Sequence, residues 1–160
     1  VTGKEGMVKR ETVIEQVEGL LSDIELCRDV RRVEAPGRRP FVRYDAQVIP
    51  NPRCEVAAGD PLRFYYEIYG LARSPEETRR CRIRYRVLNL AESKGRQPVY
   101  PLAYSFDTDE PAGRYDIFTP RVGELDVSAL RPGRYELEGR VEDLVSGKTE
   151  ERKLRFMKRS

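Results

Sequence analysis

At 160 residues, with 39% apolar and 36% charged side chains, the chain is the size of one domain and too rich in valine, leucine, isoleucine, tyrosine and phenylalanine to be disordered. A domain of this length buries roughly two-thirds of the surface its unfolded chain exposes, so it can hold a core without staples. Its 30 basic and 27 acidic residues are interspersed for a net charge of +3, so no half of the chain is a polyanion-binding arm and nucleic acid is not expected as a partner. No run approaches the roughly 18 apolar residues of a membrane helix, so no direct membrane insertion is expected. The chain begins at Val1 without an initiator methionine or a signal peptide, and a trimmed start is the expectation.

In the first forty residues, Val13, Val17, Leu20, Leu21 and Ile24 recur at helical spacing, yet "KRETVIEQV" is β-branched enough for a strand, and strand is the favoured reading. The opening "TGKEGMVKRETVI" echoes the closing "SGKTEERKLRF". Residues 1–19 are therefore expected to be a trailing strand or linker from a preceding module, and residues 20–160 a sandwich domain. From Phe41 onward the period is two, with turn residues every eight to twelve positions. "FVRYDAQVI" places Val42, Tyr44, Ala46 and Val48 on one face, and "PNP" at 50–52 stops it, because proline cannot donate to a ladder.

"PLRFYYEIYGL" turns Leu62, Phe64, Tyr66 and Ile68 one way and Arg63, Tyr65, Glu67 and Tyr69 the other. "RRCRIRYRVLNL" follows, with Cys81, Ile83, Tyr85 and Val87 on one face, then "QPVYPLAYSF", "RYDIFTP" and "GELDVSAL" as separate strands. The last pair is a hairpin, "GRYELEGRVED" returning through Ser-Gly-Lys as "TEERKLRF". Eight candidate strands joined by short turns predict an all-β fold, an antiparallel two-sheet sandwich with an N-terminal extension strand. "LRPGRY" sets a leucine, a Pro-Gly turn and Tyr135 in the order of the tyrosine corner found in immunoglobulin-like and fibronectin type III sandwiches. Tyr135 is thus a structural residue. The Cys-Trp-Cys signature of antibody domains is missing, which leaves the fibronectin-like branch.

Three stretches together, "LLSDIELCRDV", "VIPNPRCEVAAGDPLRFYYEIYGL" and "LDVSALRPGRYELEGRVEDLVSGK", resemble the C-terminal region of bacterial GWxTD-domain proteins. The resemblance covers residues 20–160; the Gly-Trp-x-Thr-Asp motif itself is absent, and Cys27 stands where a small alanine is usual. It implies an exported bacterial protein, periplasmic or extracellular, with β-sandwich modules behind a helical region. It implies no established activity and contributes no catalytic residue.

Three constellations could carry binding. Arg80, Arg82, Arg84 and Arg86 form a ladder of about 7 Å per step along which a polyanion could lie. The competing expectation is pairing with Glu136, Glu138 and Glu142 on an adjacent strand. Asp107, Asp109, Glu110 and Asp116 make a weak calcium candidate without EF-hand spacing, more simply a solvated acidic turn. Tyr65 and Tyr69 could offer an aromatic face to a glycan or a peptide, unless a loop or the N-terminal segment covers them.

There is no histidine, no glycine-rich phosphate loop and no GxSxG, so an enzyme is not expected. Cys27, Cys54 and Cys81 show no CxxC spacing, and no metal or other cofactor is expected; one disulfide with one thiol, or three thiols, are both compatible. The expected role is a non-catalytic structural or protein-interaction module, with a carbohydrate- or peptide-binding module on the tyrosine face as the alternative. Its expected partners are upstream domains of the same chain, another protein or glycan, or a second copy joined through an edge strand.

Overall fold

The computed structural model describes residues 19–33, 41–43, 46–95, 97–111 and 118–160. The trailing strand expected within residues 1–18, Tyr44 and Asp116 lie outside the described residues. Among the described residues the fold is all-β. Ten strands run in the order β1 Glu25–Arg32, β2 Val42–Arg43, β3 Ala46–Pro50, β4 Glu55–Val56, β5 Leu62–Tyr69, β6 Thr78–Asn89, β7 Leu102–Pro111, β8 Phe118–Leu125, β9 Gly133–Asp143 and β10 Thr149–Lys158. They make two five-stranded sheets, β2-β3-β1-β5-β8 and β4-β10-β9-β6-β7. Every pairing is antiparallel except the short parallel one between β10 and β4.

The two sheets stack because each presents one apolar face. From β5 come Leu62, Phe64, Tyr66 and Ile68; from β6 come Cys81, Ile83, Tyr85 and Val87; β9 and β10 add Tyr135, Leu137, Val141 and Phe156, all buried in one cluster. Phe64 meets Tyr85 edge-on across the sandwich at 5.1 Å between centroids. The phenols of Tyr66 and Tyr85 are hydrogen-bonded in the interior, which satisfies two polar atoms that burial alone would penalise. Close packing is achieved at two glycines. Gly139 leaves room for Ile24, whose Cδ1 lies 2.7 Å from where a Cβ would stand, and Gly123 leaves room for the ring of Phe64 at 2.1 Å.

The structure departs from the sequence reading in four places. "FVRYDAQVI" is not one strand: Val42–Arg43 and Ala46–Pro50 are β2 and β3, paired antiparallel with Val42 opposite Gln47, so Val42 does not share the face of Ala46 and Val48. Leu20, Leu21 and Ile24 are core residues in extended chain, and the departure is the strand that follows them, β1, which the sequence reading did not include. Leu21 bridges to Ile68, Tyr69 N–H donates to Leu20 C=O, and the carboxylate of Glu150 from the other sheet accepts the N–H groups of Leu20 and Leu21. These contacts lead directly into β1, a strand that the helical spacing of the leucines obscured. The end of "RYDIFTP", Phe118–Pro120, and the start of "GELDVSAL", Gly123–Leu125, belong to one strand, β8, in which Phe64 covers Gly123 and Pro120 is tolerated because β8 forms the sheet edge. Lastly, β7 continues past Phe106 through the acidic stretch to Pro111.

The β9–β10 hairpin is anchored at its tip. Asp143, fully buried, accepts hydrogen bonds from Val145 N–H at 2.9 Å, from Ser146 N–H at 3.3 Å and Oγ at 2.6 Å, and from Ala72 N–H at 2.9 Å on the segment after β5. Burial pushes this carboxyl up, but the donors outweigh it and hold it below the usual carboxylate range. At the other end of β9, Tyr135 donates its hydroxyl to Arg131 C=O at 2.8 Å and stacks on Phe156.

The close approach at Gly123 generates a prediction. A methyl placed there meets the Phe64 ring, which cannot retreat without disturbing Tyr85. Gly123→Ala should cost about 1–3 kcal/mol, read as a lowered urea midpoint with an unchanged slope.

Candidate functional site

The outer face of the second sheet is a charged lattice set by strand register. β6 lies between β7 and β9, with Arg82 opposite Asp107 on one side and Glu142 on the other, and Arg86 opposite Glu138. The Arg80, Arg82 and Arg86 side chains are therefore flanked by acids. Arg80 pairs with Asp109 at 2.8 Å, Arg82 with Asp107 at 2.7 Å and Arg86 with Glu138 at 2.7 Å. Arg84 stands opposite Arg140 and Ser105 instead, so the ladder is not uniformly paired. Neutralising acids on both neighbouring strands leave little for a polyanion to replace, and the expected glutamate pairing is present at Glu138 and Glu142.

Glu138 is the most buried member, at 4% exposure. Its Oε1 accepts from Lys153 Nζ at 2.9 Å, and Tyr100, whose ring lies 4.4 Å beneath the Arg86 guanidinium, donates to it at 3.5 Å. Burial pushes its carboxyl up, yet Lys153 and Arg86 outweigh that and hold it below the usual carboxylate range.

Of the acidic stretch, Asp107, Asp109 and Glu110 lie on a strand. Asp107 and Asp109 sit on β7 and face Arg82 and Arg80 as partners in the ladder. Hydrogen bonding from Arg82 holds the Asp107 carboxyl below its ordinary range. Glu110 is a β7 residue opposite Arg79 in the backbone register. Among the described residues no group of three or more potential metal-ligating side chains converges.

The exposed tyrosine face is corrected at Tyr65, which is 2% exposed. It points away from the main core, but Cys27 of β1 and Ala46 and Val48 of β3 form a second buried cluster around it. Its hydroxyl donates to Glu67 at 2.7 Å and Arg43 lies over its ring. Tyr69 is half-buried, donates to the same Glu67 carboxylate, and its ring lies against Phe118. Cys27 shares this cluster, and burial pushes its thiol up to about 12, which leaves it un-ionised at neutral pH. Cys27, Cys54 and Cys81 are all free thiols.

The sequence reading missed a cleft at a sheet edge where core-facing aromatics are open. β7 and β8 are edge strands of opposite sheets, and they flank a cleft of about 360 Å³ lined by Tyr85, Tyr104, Phe106, Gly123, Leu125 and Asp126, with Val122 and Glu124 at its rim. Tyr104 and Phe106 share a face with the core residues Tyr85 and Ile83, to which they are paired, yet they remain 43% and 46% exposed. Toward Thr108 the opening narrows where Arg121 reaches across from β8 to its hydroxyl, 3.4 Å away. The alternation of Tyr104 and Phe106 was visible in the sequence; that their strand lies at an edge was not.

A second cleft of about 330 Å³ lies at one end of the sandwich, lined by Arg28, Arg53, Arg63 and Arg159 with Glu55 and Asp60. Arg63 is paired to Glu124 and Arg159 to Glu55. No protein-family model matches the chain, and no curated protein is similar to it.

Two expected outcomes follow from the charged face. Because the Glu138 carboxyl titrates lower in the folded chain than the roughly 4.3 of an unfolded glutamate, its contribution is present above that value and disappears as the pH falls through the folded one. Glu138→Gln should therefore cost about 1–2 kcal/mol at pH 7 and flatten the loss of stability between pH 5 and pH 3 in urea titrations. For Asp107 and Asp109, already held by arginines, the thermal midpoint should be the same in EDTA and in millimolar calcium; a rise with calcium would restore the metal reading.

Proposed function

We propose that this chain is a non-catalytic structural or protein-interaction module of an exported bacterial protein, a fibronectin type III-like or immunoglobulin-like sandwich working outside the cytoplasm. Supporting the finer fold reading is the hydroxyl of Tyr135, which reaches Arg131 C=O across the Pro-Gly turn as a tyrosine corner does. The resemblance of residues 20–160 to the C-terminal region of GWxTD-domain proteins supports the setting. Neighbouring modules of the same chain are the first partners this reading names.

The observation that carries the interaction role is the β7–β8 edge, where core-facing aromatics stay open to solvent on a strand that, among the described residues, pairs on one side only. Apolar groups left accessible at a strand edge mark a place where another surface can be accommodated. The charged lattice, by contrast, is internally compensated over most of its extent. A glycan or peptide site on the Tyr65 and Tyr69 face is disfavoured because the Tyr65 ring is covered and cannot be stacked upon.

A contact module leaves a footprint. Amide exchange in the intact parent protein, compared with the isolated chain, should show added protection on at least one strand surface of residues 20–160. Identical protection throughout would overturn the interaction role.

A further inference from the structure

Four strands end the two sheets, and they are not equally guarded. β2 and β4 are two residues long, and β8 carries Pro120, which offers no N–H to a neighbour. Short edges and proline are the usual ways in which sheets avoid pairing with another chain. β7 has neither protection along most of its length. It spans ten residues, about 33 Å of extended backbone, without lysine or a bulge and with proline only at its last position, and its pairing with β6 is unbroken from Leu102 to Pro111.

The side chains of this edge alternate in a way that specifies what could lie beside it. On one face, Tyr104 and Phe106 line the cleft toward Gly123 and Leu125. On the other, Asp107 and Asp109 continue a pattern in which charge changes sign from strand to strand: Glu142 on β9, Arg82 on β6, Asp107 on β7. The next strand in that series would carry a cation. We propose that the free edge of β7 takes up an extended segment of another polypeptide in which apolar and basic residues alternate. Its apolar side chains would fill the cleft beside Tyr104 and Phe106, and its lysines or arginines would face Asp107 and Asp109.

Main-chain hydrogen bonding would supply affinity, and the alternate pockets would supply selection. A second copy is a poorer occupant. Antiparallel self-pairing centred on Asp107 or Thr108 sets carboxylate directly against carboxylate, which destabilises a strand pair. This inference rests on the interaction-module reading and names its partner.

The probe is a capped eight-residue peptide alternating lysine with valine and leucine, titrated into the ¹⁵N-labelled chain, with a glutamate-for-lysine counterpart as control. Saturable shifts should centre on β7 amides. Binding should weaken at least tenfold for the glutamate peptide and for Tyr104→Ser combined with Phe106→Ser, a variant whose thermal melt is recorded to establish that it is folded. Single Phe106→Ser, with half the apolar change, should give an intermediate loss. Equal binding by the glutamate peptide or the folded variants, shifts centred elsewhere, or no binding at millimolar peptide would overturn the proposal. So would a concentration-dependent dimer that protects β7 without peptide. If the peptide fails while the parent protein still shows a footprint on another strand, the interaction role stands and only the β7 assignment falls.

Discussion

The contact on which the rest of the sandwich depends is Phe64 against Tyr85. Phe64 lies in the first half of β5 and Tyr85 within β6, so one edge-to-face pair joins an inner strand of each sheet. Such a pair adds about 1 kcal/mol beyond the area it buries, but its geometric consequence is larger. Phe64 needs Gly123 beneath it, which lets β8 pair along the full length of β5. Tyr85 brings a hydroxyl into the interior, which requires Tyr66 as its partner. Burial pushes the Tyr85 phenol up to about 12, so the pair stays neutral and contributes a hydrogen bond without a buried charge.

The two sheets use their outer faces differently. The first carries a small second core around Tyr65, so β1 and β5 bury apolar residues on both sides. The second carries alternating charges, the most enclosed of them, Glu138, held by Lys153 and Arg86 beneath the Tyr100 hydroxyl. This division explains why a chain with 36% charged residues still forms a continuous interior. Charge is gathered where register can compensate it, and long arginine stems cover the sheet while their guanidinium groups reach carboxylates.

Alternation alone was enough to read the inward faces of β5, β6 and β9 from the sequence. Leu62, Phe64, Tyr66 and Ile68 needed no knowledge of neighbours, because period two assigns them to one face. Tyr65 did need it: its burial depends on Cys27, Ala46 and Val48 from strands whose adjacency no local pattern records. Asp107 and Asp109 read as a turn because acidic residues are poor strand formers alone. They extend β7 because arginines on β6 meet them in register. Leu20, Leu21 and Ile24 were legible as apolar positions, but what fixes them was not, since the Glu150 carboxylate and the β5 backbone that hold them are remote in sequence.

The same reasoning separates the two clefts. At the sandwich end, Arg159 and Arg63 have carboxylate partners at hand, so a bound anion would have to compete with Glu55 and Glu124. At the β7–β8 edge Asp107 and Asp109 are paired to Arg82 and Arg80, but a carboxylate can hold a second cation from a neighbouring strand, as Glu138 holds both Arg86 and Lys153. Among the described residues no second strand pairs with β7, and its core-facing rings remain partly exposed. Adding a strand there would remove apolar surface from water and extend the ladder in one step, whereas filling the basic cleft would first break ion pairs. The physical asymmetry between those two costs is what favours the edge over the arginine-lined cleft for the proposed contact with another chain.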